Sequence, residues 1–436
     1  MSPARRSPAR MTSLPRILTI MGSGETTPTM ARVHRGILDR LGDKPVPAVV
    51  LDTPYGFQEN AEDITARTID YFRTTVGAPF TVASFRSADA DALTRETAIV
   101  RIRESKLVFT GPGSPSYALR QWSGSEIPRL LADKLARGGA VTMASAAALT
   151  LGRYTIPVYE IYKVGEEPHW LDGLDLLTPL GLPVAVVPHY DNAEGGNHDT
   201  RFCYLGERRL SVLEAGLPPD VFILGVDGHT ALVLDLDTGL GSVLGLGTVT
   251  VRKNGHSTVF AAGAEVSIAE LVAAAHGPGA TAGGAADVAD PGARLGDGEP
   301  SPGLLREEVA RLEAVFNRSL GECDAPAAVR AILTLEETIQ AWSHDTDQSD
   351  ALAVARSALR SAIVCLGEMA ENGTGDPADL VRPFVDALLA ERIRSREARE
   401  WAAADNIRDR LLAAGIELHD TPDGTTWELH PAQPVA

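Results

Sequence analysis

Over residues 16–275, short and nearly continuous apolar runs alternate with longer stretches of helical periodicity. The runs lie at 17–21, 48–51, 80–85, 107–110, 140–143, 184–187 and 221–224. They are too short to be buried helices, and their lack of polar alternation suits strands covered on both faces. Helical patterns fall between them, for example at 60–75 and 126–137. This alternation predicts an α/β domain with a doubly wound, mostly parallel sheet. Several runs end in Gly or polar clusters, as at Gly22-Ser23-Gly24-Glu25, Asp52-Thr53-Pro54 and Gly111-Pro112-Gly113. In such sheets ligands bind outside the carboxyl ends of the strands, where these clusters fall.

The pattern breaks at 276–303, which is rich in Gly, Ala, Pro and Asp and poor in large apolar side chains. Such a segment cannot offset its ordering entropy by burial, so a flexible linker is expected there. From 304 onward the periodicity is helical: Leu305, Val309, Leu312 and Phe316 share a face, as do Leu352, Ala355, Leu359, Ile363 and Leu366. A further helical stretch at 378–414 stops at Gly415, a natural residue to follow a helix. Two short runs around Thr421-Pro422-Asp423-Gly424 then predict a closing β-hairpin. The expected organisation is a disordered leader over 1–15, an α/β domain over 16–275, the linker, and a small helical domain with a terminal hairpin over 304–436.

Composition narrows the function classes. A net charge of −18 disfavours phosphate backbones over the surface as a whole, so nucleic-acid contact requires a local basic patch. The three cysteines, Cys203, Cys323 and Cys365, are far apart and form no CxxC pair. Free thiols in a reducing cytoplasm are expected, not disulfides or a zinc ribbon. The leader is basic but has no apolar core, so it does not read as a secretory signal, and Met11 is an alternative start. No run of eighteen apolar residues suggests a membrane span. His169, His198 and His229 lack the i, i+4 spacing of a zinc pair; a metal site of His189, Asp191 and His198 is the lesser alternative to the expectation of no metal and no other cofactor.

The chemistry-bearing segment is 138–149, where an apolar strand runs into Ser145 and an alanine-rich helix leaves it. A nucleophile elbow needs this order: the sharp turn exposes the hydroxyl, and small neighbours let strand and helix approach. The Ala146 amide would then receive an oxyanion. Met143 and Ala147 replace the glycines of GxSxG, and a serine that merely caps the helix remains the alternative. A hydroxyl nucleophile needs a base and an orienting acid. His189 follows the run at 184–187 and is the candidate base. Glu160 is the first candidate acid and Asp227 the second.

These segments together resemble the dipeptidase E and cyanophycinase family of the class I glutamine amidotransferase-like fold, over roughly residues 16–275. The resemblance implies a serine peptidase or amidase acting on a small peptide or amide. It puts Ser145 on the nucleophile, His189 on the base, and the loop with Gly113 and Ser114 on the second oxyanion donor. The elbow carries no cysteine, so glutaminase chemistry is not expected.

The run Arg396-Glu397-Ala398-Arg399-Glu400-Trp401 to Trp427 is similar to the C-terminal end of cysteinyl-tRNA synthetase, over about residues 304–430. That resemblance implies tRNA as a partner, with Arg396 and Arg399 as candidate RNA contacts. Mixed charge on this helix also suits a plain solvated face. HIGH and KMSKS signatures are absent, so aminoacylation is not expected. The alternative to a hydrolase is a catalytically inactive ligand-binding or tRNA-associated protein. No residue pattern settles the oligomeric state, and a homodimer stays open.

Overall fold

The computed structural model describes residues 14–193, 198–277, 304–322, 324–345, 351–373, 377–421 and 424–430. The expected leader, apart from residues 14 and 15, lies outside the described residues, as do the expected linker beyond 277, Cys323, and Pro422-Asp423 of the hairpin turn. The chain divides into two compact units, Met1–Ala310 with Leu335–Arg356, and Arg311–Thr334 with Ser357–Ala436.

The strands of the first unit are β1 (Arg16–Met21), β2 (Ala48–Leu51), β3 (Thr81–Ala83), β4 (Leu107–Thr110), β5 (Gly139–Ala144), β6 (Tyr154–Thr155), β7 (Leu171–Asp172), β8 (Val184–Val187), β9 (Phe222–Val226), β10 (Thr230–Asp235), β11 (Leu240–Gly245), β12 (Thr248–Lys253), β13 (His256–Ala261) and β14 (Glu265–Ser267). An eight-stranded sheet has the order β14-β11-β10-β1-β5-β4-β2-β3. Its half from β1 to β3 is parallel. Its other half, β10, β11 and β14, is antiparallel.

Side-chain alternation along β1 shows why both faces are buried. Ile17 and Met21 enter one core with Met30, Val33 and Ile37 of the helix Pro28–Arg40 and with Tyr71 and Phe72. Leu18 and Ile20 enter the other, with Trp122, Leu131 and Leu135. A strand with helices on both sides has no polar face to show, which is why its sequence lacks polar alternation.

β8 and β9 do not continue this sheet. They form a second one, of order β13-β12-β9-β8. They do not pair with β1, whose two edges are both occupied: β5 pairs in parallel from Arg16↔Gly139, and β10 pairs antiparallel from Ile17↔Asp235. The second sheet instead packs through Val184, Val186, Leu224 and Val251 into the core that holds Leu18 and Ile20. Its opposite face, with Val187 and Ile223, is covered by Leu149, Ile161, Leu210 and Leu213.

The C-terminal half is helical: Leu305–Gly321, Ala325–Ala341, Ala351–Gly373, Pro377–Glu397 and Trp401–Ala413, closed by a hairpin of β15 (Ile416–Thr421) and β16 (Gly424–Leu429). Gly415, at φ +80°, makes the left-handed step from the last helix into β15. Val385, Leu389, Leu411, Ile416 and Leu418 form the core of this end. Arg392, almost fully buried, forks onto both oxygens of Asp420 at 2.8 Å and ties the long helix to the hairpin. Those bonds hold the Asp420 carboxyl well below the usual carboxylate range. Within the first unit, His344 Nε2 lies 2.7 Å from Asp70, and the Trp342 ring packs 5.5 Å from His229.

Trp122 is fully buried, and its indole N–H donates to Thr53 Oγ1 at 3.0 Å. Trp122→Ala should destabilise the first unit by about 3–5 kcal/mol, because a large cavity opens and Thr53 loses its donor. A urea denaturation midpoint unchanged from wild type would contradict this packing.

Candidate active site

β5 ends at Ala144, and the chain turns at once into the five-residue helix Ser145–Leu149. Ser145 makes the turn at φ +49°, a left-handed conformation that costs a non-glycine residue about 1–3 kcal/mol and is sustained only by its surroundings. The surroundings here are close packing: Ala147 and Ala148 are fully buried, and the Ala147 amide donates to Gly111 O at 3.2 Å. The Ser145 hydroxyl is thereby aimed out of the sheet, and its Oγ lies 2.9 Å from His189 Nε2. The helix Ser145–Leu149 packs against β8, so His189 reaches the serine from the second sheet and not, as the strand pattern suggested, from the same one.

The loop after β4 lies against this elbow. Gly113 has φ +134°, and a Cβ there would sit 2.1 Å from Pro54 O, so only glycine fits. The Ser114 amide donates to Pro54 O at 2.8 Å, and its hydroxyl caps the helix Pro115–Trp122 by accepting from Tyr117 N. Ser114 therefore turns its amide away from an oxyanion. Among the described residues, the amides of Gly113 and Ala146 have no protein acceptor.

The two candidate acids have other partners. Glu160 opens the turn Glu160–Val164, and its Oε1 accepts from Ser116 Oγ at 2.5 Å. Ser116, which the sequence reading passed over, is bonded in turn to Ser114 Oγ at 3.0 Å. Ser116 and Glu160 also border a cavity of about 430 Å³ lined by Arg120, His169 and Asp172. Asp227, between β9 and β10, accepts at Oδ2 from the Thr248 amide and hydroxyl, each at 2.7 Å. Asp191 accepts from the Gly228 amide at 2.7 Å. Among the described residues, no hydrogen bond joins a carboxylate to His189.

His189 is instead framed by backbone. It has φ +46°, and its carbonyl accepts from Asn192 N at 3.2 Å and Cys203 N at 3.0 Å. Phe202, Cys203 and Tyr204 are three consecutive left-handed residues, at φ +59°, +55° and +68°. No glycine marks this run, so nothing in the local sequence advertised it. Three histidine, cysteine, aspartate or glutamate side chains able to hold a metal ion do not converge anywhere among the described residues.

In the second unit Arg399 ends the long helix at φ +63° and is exposed, and Arg396 Nη1 is 3.2 Å from Asp420. Trp401 is 58% exposed, a large value for an indole, and lines a cavity of about 370 Å³ with Arg392, Arg396 and Thr425.

Residues 381–427 match the cysteinyl-tRNA ligase anticodon binding domain. Curated relatives include the cysteine–tRNA ligase of Hydrogenovibrio crunogenus, 31% identical over 122 residues, covering 27% of this chain and 26% of the ligase. The cysteine–tRNA ligase of Halorhodospira halophila is 51% identical over 53 residues, 12% of each chain. The chain thus spans about a quarter or less of these relatives. Among solved structures, a peptidase from an acI-B1 Actinobacterium is similar at 20% identity and a TM-score of 0.48, over 58% of this chain and 98% of that one. Among the described residues, no helix is long and apolar enough to cross a membrane.

Burial raises the Asp227 carboxyl above its ordinary value; the charge of Asp191 acts the same way, and the Thr248 bonds oppose both. A folded-state value above the unfolded one means that the native state keeps this proton longer. The stability so gained is present below the ordinary carboxylate range and is lost as pH rises through the raised value. Asp227→Asn should therefore weaken the pH dependence of stability across that interval. Parallel stability–pH curves for the two proteins in urea titrations would refute this.

Proposed function

We propose that the first unit is a serine hydrolase of small peptides or amides. The observation that carries this reading is the 2.9 Å approach of Ser145 Oγ to His189 Nε2 at a left-handed strand-to-helix turn. His189 takes the hydroxyl proton as Oγ attacks the substrate carbonyl carbon. The resulting oxyanion is received by the amides of Ala146 and Gly113. Nε2–H then protonates the departing amine as the C–N bond breaks. Water attacks the acyl carbon, gives a proton to His189, and leaves the acid and a restored Ser145.

In this geometry Ser145 and His189 act as a dyad. Glu160 Oε1 accepts from Ser116, and its buried Oε2, without a partner among the described residues, is the oxygen that a triad would turn to His189. A fluorophosphonate probe should label Ser145 in the folded wild type and not in Ser145→Ala, and His189→Ala should slow labelling by about 10²–10⁴-fold. No labelling of folded wild type would overturn the hydrolase reading. Glu160→Gln should cost less than about tenfold; a loss of about 10⁴-fold, as expected when a triad acid is neutralised, would replace the dyad by a triad.

The match at 381–427 supports a second, compatible reading: that this region contacts tRNA. Trp401 offers an exposed face for base stacking, and Arg396 and Arg399 offer charge for phosphates on a chain that is otherwise acidic. Filter binding at physiological salt should retain tRNA, and the double change Arg396→Glu and Arg399→Glu should abolish retention. Equal retention by both proteins would exclude these arginines as contacts.

A further inference from the structure

A catalytic imidazole must be held in one orientation, and a hydrogen-bonded carboxylate is the usual means. His189 has none among the described residues, while the chain beside it is held by main-chain hydrogen bonds and ring contacts. Phe202 N donates to Tyr190 O at 2.9 Å and Cys203 N to His189 O at 3.0 Å, so the left-handed run 202–204 grips the backbone of the base and of its neighbour. The Tyr204 ring lies 6.2 Å from the imidazole, tilted by 42°, and is itself backed by Tyr162 at 5.3 Å.

What sustains three adjacent left-handed residues is a stack running back into the second sheet. Phe202 packs on Tyr190 at 4.5 Å. Tyr190 in turn lies over Gly225 of β9, where a Cβ would fall 2.4 Å from the ring. Burial pushes the Tyr190 phenol up to about 12. On Phe202 sits the guanidinium of Arg252 from β12, 5.6 Å from the ring centre, with Arg201 at 4.9 Å. Arg252 is 5% exposed. It donates to Glu207 at 2.6 and 3.0 Å, to Glu214 at 3.0 Å and to Ser211 at 3.3 Å, all on the helix Gly206–Ala215 that begins where the left-handed run ends. A buried cation shared by two carboxylates and an aromatic ring is fixed in place and fixes what it touches.

We propose that Arg252 and the left-handed turn Phe202–Tyr204 are positioning residues for His189, doing mechanically what an acid would do through a hydrogen bond. This inference rests on the hydrolase reading for its catalytic meaning. Its geometric content, that Arg252 sets the imidazole's placement, stands apart from it.

The test uses the full chain with Arg252→Met, Arg252→Lys and Phe202→Leu, each checked for folding by circular dichroism. Arg252→Met should lower the limiting rate of fluorophosphonate labelling on the order of 10- to 100-fold, the cost of a small misplacement, with little change in the probe concentration giving half that rate. Arg252→Lys should restore part of the loss. The ¹⁵N resonances of the His189 ring should move in Arg252→Met and move less in Arg252→Lys. If Arg252→Met does not fold, Phe202→Leu, which removes the ring under the guanidinium, carries the same expectations. A folded variant with wild-type labelling and unmoved His189 resonances overturns the proposal. If wild type is never labelled, the hydrolase reading fails, and the ring resonances alone decide: shifted resonances sustain Arg252 as the positioning residue, and unshifted ones remove it.

Discussion

The approach of Ser145 to His189 depends on a constraint at the central strand. β1 has β5 on one edge and β10 on the other, so neither β8 nor β9 pairs with it. Those strands form a separate sheet, and they pack against the first through a shared apolar core. The elbow at the end of β5 and the histidine after β8 then belong to two layers that meet at one rim. Close packing between layers holds them to one separation, since a filled core deforms little. A short helix of small residues at the elbow lets β8 come near, with Leu149 buried beside Val187.

Backbone strain gathers around the same rim. Ser145 and His189 are both left-handed, as are Phe202, Cys203 and Tyr204. Each such residue opposes folding, and together they persist only because burial and hydrogen bonds on every side outweigh the cost. The elbow is held by alanines and by the Gly111 carbonyl. The run beside His189 packs against an aromatic stack and a buried arginine. Glu160 and Asp227, the two candidate acids, accept from Ser116 and Thr248.

The helical end is organised on different terms. Its hairpin is joined to the long helix by an apolar cluster and by the buried fork of Arg392 on Asp420. Arg396, Arg399 and Trp401 stay exposed beside this fork. The match to an anticodon binding domain covers this end alone, 381–427.

Local order along the chain determined the parts of this protein. Continuous apolar runs at 17–21, 48–51, 107–110 and 184–187 become strands because both their faces are buried, and that shows in the residues themselves. The strand-serine-helix order at Ser145, the stop at Gly415 and the closing hairpin are equally short-range and equally legible. Tertiary structure decided what those parts do to one another: which sheet β8 joins, that β10, β11 and β14 extend the first sheet antiparallel, that Ser116 takes Glu160, and that Arg252 packs on a glycine-free left-handed turn beside His189. These outcomes follow from competition for edges, hydrogen-bond donors and buried space among residues tens of positions apart, and a one-dimensional pattern does not record who wins it.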